Sequence, residues 1–142
     1  MDSNMNIQVS HVSKSFGGQE ILKDVSFVIN KGVKISLLGK NGSGKSTLLR
    51  ILIGEEDPDL GSITVTPKYA RIGYLPQIVD SKSKLSSGQK LKGKLQEVLS
   101  SKPDILILDE PTNHLDWQGL EWLGKVVRSF TGSVIIVSHD RY

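Results

Sequence analysis

Residues Gly39-Lys40-Asn41-Gly42-Ser43-Gly44-Lys45-Ser46-Thr47 space glycines, a lysine and a hydroxyl as G-x-x-x-x-G-K-S. That spacing suits a polyphosphate. Gly39, Gly42 and Gly44 allow the main chain to curl until successive N–H groups, those of Asn41 and Ser43 among them, converge on one anion. A helix starting near Lys45 adds its positive end to those amides. Lys45 is then placed to bridge β- and γ-phosphates, and the Ser46 hydroxyl to hold Mg²⁺. A glycine-rich turn with no ligand is the plainer explanation. The order strand, loop, lysine, serine, helix weighs heavily against it.

A second constellation is Ile105-Leu106-Ile107-Leu108-Asp109-Glu110, an apolar run that delivers two adjacent carboxylates. At the C-terminal edge of a parallel sheet, Asp109 can hold the hydration shell of Mg²⁺ while Glu110 polarises an attacking water. On its own an acidic turn closing a strand is commonplace; beside a phosphate loop it reads as chemistry. The run Ser133–Ser138 likewise ends in His139. A lone histidine after a strand is usually structural, but this position parallels that of Glu110.

The elements that must carry these residues are legible as periodicity. Lys34–Leu38, Arg71–Leu75, Asp104–Leu108 and Ser133–Ser138 are short, unalternating and rich in Ile, Leu and Val, as strands covered on both faces are. Between them lie helical patterns: Lys45–Ile53; Leu91, Leu95, Val98 and Leu99; and Leu120, Leu123, Val127 and Phe130. Alternation of the two predicts an α/β fold, a mainly parallel sheet flanked by helices, which with the phosphate loop resembles the P-loop NTPases. Ile7–Val9, Val25–Ile29 and Ser62–Val65, with a Gly17-Gly18 turn, predict a small antiparallel β-subdomain at the N-terminus.

The chain has 142 residues, no cysteine and a net charge of +3. Its length predicts a single domain over 1–142. No apolar run reaches the length of a membrane span, and Met1–Asn6 has neither the basic start nor the apolar stretch of a signal peptide. Together with the absence of cysteine, this leads us to expect a cytoplasmic protein without direct membrane insertion. Lys82, Lys84, Lys90, Lys92, Lys94 and Lys102 crowd one region. A solvated helix face and tether explain them more simply than a nucleic-acid contact.

Taken together, these motifs resemble the nucleotide-binding domain of the ABC ATPases over nearly the whole chain. Leu85-Ser86-Ser87-Gly88-Gln89 looks like the family's signature, Gln77 stands at the Q-loop glutamine, and Asn113-His114-Leu115-Asp116 matches the D-loop. His139 matches the switch histidine, and Phe16 occupies the place of the aromatic that stacks on adenine. The runs Asp109–Asp116 and Ser138–Tyr142 are most similar to the ABC-F branch, soluble proteins usually of two such domains, many acting on the ribosome; the opening segment resembles the first of the two.

The resemblance implies ATP and Mg²⁺ as cofactors, with Gln77 joining Ser46 and Asp109 at the metal and sensing the γ-phosphate. It also implies a second ABC domain, or a homodimer, closing over ATP. Physically the signature is a second anion site: Ser86 and Ser87 can cap, Gly88 allows close backbone approach, and Gln89 follows in the first turn. One stacking aromatic favours ATP only loosely over GTP. Family members also carry several dozen helical residues between Q-loop and signature, where this chain has only 78–84, a short polar linker. Further strands and helices usually follow the switch histidine. Three functions fit: an ABC-F ATPase domain, the ATPase domain of an ABC transporter, or a nucleotide-binding fragment without turnover.

Overall fold

The structure, a computed structural model, describes residues 5–39, 44–77, 87–113 and 115–139, apart from the side chains of Gly39, Ser87 and His139. These residues form two compact units. One holds the described parts of 1–31 and 38–70 with His139; the other holds 32–37 and 71–138.

In the first unit β1 (Asn6–Phe16) lies between β2 (Gln19–Asn30) and β4 (Leu60–Thr66), antiparallel to both. Ile7, Val9 and Val12 of β1 are buried together with Leu22 and Ile29 of β2. The first two keep the two-residue period of a half-buried strand. The hairpin is far longer than the expected Ile7–Val9 and Val25–Ile29. Register shifts fall between Val9 and Val12 and again between Val12 and Lys14, and His11 and Asp24 both have positive φ, 50° and 48°. Each such irregularity breaks the alternation by which strands are recognised, so the outer half of the hairpin is invisible to pattern. Helix α1 (Lys45–Leu52) belongs to the same unit and buries Leu48, Leu49, Ile51 and Leu52.

The second unit is built on a sheet of order β3 (Lys34–Gly39), β7 (Ser133–His139), β6 (Ile105–Asp109) and β5 (Ile72–Leu75). β5, β6 and β7 run parallel. Ile105 to Leu108 are all 0% exposed, the expectation for a strand covered on both faces. Leu106 and Leu108 turn toward Leu91 and Leu95 of α2 (Ser87–Ser100) and Leu123 of α3 (Trp117–Ser129) in one apolar cluster. A Cβ on Gly73 of β5 would lie 2.7 Å from Val98 and 2.9 Å from Pro103, so glycine there is what lets α2 sit close on the sheet. Asp116 caps α3 by accepting from the Gly119 N–H at 2.8 Å. The architecture is the expected one: α/β, a parallel sheet with helices, and a small antiparallel sheet from the N-terminal half.

Candidate functional site

In the first unit the described residues of the predicted phosphate loop, Gly44 to Thr47, open α1. Gly44 is its N-cap at φ 93°, and among the described residues no side chain caps that end. A Cβ on Gly44 would stand 2.8 Å from Leu22 Cδ2 and 2.9 Å from the Ile21 carbonyl oxygen, so both the backbone angle and the space demand glycine. Lys45 is half-buried and Ser46 exposed, whereas Thr47 is buried with Leu48 and Leu49 on the packed face. Asn41, Gly42 and Ser43 lie outside the described residues, and Gly39 closes β3.

Phe16, the last residue of β1, is 44% exposed beside the Gly17–Gly18 turn. The ammonium of Lys14 sits over its ring, 5.2 Å from the centroid. That ammonium is itself held by Glu56 at 3.1 Å and Asp59 at 3.2 Å. The hydrogen bond to Glu56 is the main reason its pKa is raised. Asp59 is lowered, first by the N–H of Ser15 and then by Lys14.

In the second unit parallel register brings the chemical residues to one sheet edge. Leu75 pairs with Leu108, and Asp109 with Val137. Gln77, two residues beyond β5, is exposed; Asp109 ends β6 half-buried; Glu110 follows at 7% exposure. Glu110 has φ 51°, and its N–H donates to the Val137 carbonyl at 2.7 Å. Strand β7 ends at His139, whose side chain lies outside the described residues. A small cavity beneath this edge is lined by Leu75, Pro76, Leu91, Asp109, Glu110 and Asn113. The signature helix α2 begins at Ser87, with Gly88 half-buried and Gln89 exposed; Ser86, the linker 78–84 and His114 are outside the described residues.

Sequence reasoning missed Tyr74, whose hydroxyl lies 3.5 Å from Asp109 Oδ2. Its one signal was a polar aromatic in an otherwise aliphatic strand. It also missed Lys14, Glu56 and Asp59, which nothing in local pattern connects. Among the described residues no three His, Cys, Asp or Glu cluster as a metal site. The predicted donors Ser46, Gln77 and Asp109 are nevertheless all hard oxygens, the chemistry Mg²⁺ takes when water and phosphate complete its shell.

The fold is that of the ABC ATPase domains. It superposes on a bacterial Atm1-family ABC exporter with a TM-score of 0.78 and 20% identity, over 97% of this chain and 35% of that one. The sequence profile of the ABC transporter family matches residues 22–78 and again 68–113, and the chain belongs to that family. Curated relatives it matches include the ABC-F proteins VmlR, Uup and EttA. It is 34% identical over 175 aligned residues to the ribosome protection protein VmlR of Bacillus subtilis (strain 168), covering 96% of this chain and 32% of that protein. It is 30% identical over 179 to the energy-dependent translational throttle protein EttA of Haemophilus influenzae, again 96% and 32%. The chain thus spans about a third of these relatives. Among the described residues no helix is long and apolar enough to cross a membrane.

Proposed function

We propose that this chain is an ABC-F-type domain that binds ATP and, with Mg²⁺, hydrolyses it in the cytoplasm, and that the full-length protein spends this energy on the ribosome. The observation that carries the chemistry is Glu110, a carboxylate buried at a strand tip directly after Asp109. Burying a carboxylate costs free energy, so one kept at the ligand edge of a parallel sheet is best explained by work done there. Similarity to a ribosome protection protein and to a translational throttle protein supports the ribosomal half of the proposal.

In this scheme the loop from Gly39 to Gly44 and the start of α1 hold the phosphates, Lys45 neutralises them, and Phe16 stacks on the base. Glu110 takes a proton from the attacking water as its oxygen bonds to the γ-phosphorus and the bond to ADP breaks. Gln77 and His139 make polar contacts to the γ-phosphate and the water. Mg²⁺, held by Ser46, Gln77 and Asp109, would offset the charge developing on the phosphates. Ser87, Gly88 and Gln89 face the nucleotide of a second ABC domain or second copy.

Residues 78–84 stand, in this proposal, where relatives carry a helical subdomain. Two facts support it. The family profile fits in two pieces that meet at 68–78, and the alignment to VmlR has 175 positions, more than the 142 residues of this chain.

Steady-state ATPase activity and nucleotide affinity, measured on the wild type, Glu110→Gln and Lys45→Ala, test the function. Glu110→Gln should lower turnover by about a hundredfold or more while retaining ATP, and Lys45→Ala should lose most ATP affinity. Turnover equal in wild type and Glu110→Gln would leave a nucleotide-binding domain without this catalysis. Equal ATP affinity in wild type and Lys45→Ala would refute the phosphate loop itself.

A further inference from the structure

Lys14 is a cation held by two carboxylates, and the proposed nucleotide chemistry does not use it. Its side chain is 12% exposed, and its ammonium is shared between Glu56 Oε1 at 3.1 Å and Asp59 Oδ1 at 3.2 Å. Asp59 grips the same strand twice more. Its second oxygen accepts the Ser15 N–H at 2.8 Å, and its own N–H donates to the Ser13 carbonyl at 2.9 Å. Glu56 is tied in turn to α1, since its N–H donates to the Arg50 carbonyl at 3.2 Å, as does that of Glu55 at 2.8 Å. A surface lysine ordinarily keeps its rotamer freedom; this one is fastened from two sides, with the ring of Phe16 under its charge at 5.2 Å.

We propose that Lys14 is a positioning and specificity residue for the purine, acting through Phe16. A cation on one side of an aromatic ring draws π-density toward itself and leaves the other side poorer in electrons, which favours stacking with an electron-rich purine. The two carboxylates hold the ammonium against the ring before any nucleotide arrives. The path Phe16–Lys14–Glu56–Arg50 also joins the base platform to the far end of the helix whose start holds the phosphates. The inference rests on the assignment of Phe16 as that platform.

The test compares the affinities of Mg-ATP, Mg-CTP and inorganic tripolyphosphate for wild type, Lys14→Met, Lys14→Arg, Phe16→Ala and the Lys14→Met/Phe16→Ala pair. Lys14→Met should weaken ATP about threefold, CTP less, and tripolyphosphate not at all, consistent with one partly exposed cation–π contact. Lys14→Arg should restore the wild-type preference, and in the Phe16→Ala background the Lys14 effect should vanish. A merely structural lysine would weaken all three ligands alike, and that result, or no change in any, overturns the inference. If Phe16→Ala leaves the ratio of ATP to tripolyphosphate affinity untouched, Phe16 is not the platform and both assignments fall together.

Discussion

Asp59 owes its lowered pKa first to the Ser15 N–H and then to the Lys14 ammonium, both of which favour the ionised carboxylate. The direction fixes a pH dependence. With a folded value below the ordinary 3.8, the unfolded chain binds more protons in that range, so the stability Asp59 confers is complete above 3.8 and drains away as pH falls through the folded value. Lys14 runs the other way: chiefly through Glu56 its pKa is raised from 10.5, so its share is whole below 10.5 and is lost as pH climbs through the folded value. At neutral pH both contributions stand. Urea midpoints recorded from about pH 7 to pH 3 should therefore fall more steeply for the wild type than for Asp59→Asn, the two curves converging at the acid end. Parallel curves would remove Asp59 from the acid limb. None of this was legible in the sequence. Lys14 and Asp59 are 45 residues apart, and their meeting depends on how the segment after α1 returns to β1.

At the scale of elements, helix α2 carries an instructive oddity. Gly93 lies inside it, where the absence of a side chain costs helix stability, yet a Cβ built there would meet nothing within 4 Å. Gly93→Ala should accordingly raise the free energy of unfolding by about 0.5–1 kcal/mol with an unchanged urea m-value. A destabilised variant would mean that this face of α2 is covered in solution. The wider lesson about elements follows burial. β6 and β7 were readable because strands covered on both faces must be uniformly apolar, and Ile105–Leu108 and Val134–Ile135 are. The outer hairpin was not, because the irregularities around His11 and Asp24 destroy the period. Asp109 and Glu110 announced themselves by ending an apolar run. Gln77, a single polar residue beyond a strand, carries no local signal, and its proposed role rests on resemblance alone.

At the scale of the whole molecule, the proposed function requires more than one copy of the domain. By the family's logic the phosphate loop of one domain and the signature turn of another grip the same ATP. One chain offers each half once, so two chains related by a twofold axis complete two sites, each giving α1 to one and α2 to the other. In the proposed function such an interface would form when nucleotide supplies its centre and would dissolve on turnover. Glu110→Gln with saturating Mg-ATP should therefore elute from a sizing column as a dimer, and chelation of Mg²⁺ should return it to the monomer position. The prediction discriminates because the internal segment of relatives that we infer this chain lacks precedes the signature, and a misplacement of α2 of about an ångström would spoil the contact without touching the phosphate loop. A protein that binds Mg-ATP tightly yet stays monomeric would show that 78–84 preserves the nucleotide cradle but not the presentation of Ser87, Gly88 and Gln89. Turnover by this chain would then have to be weak even with Glu110 in place.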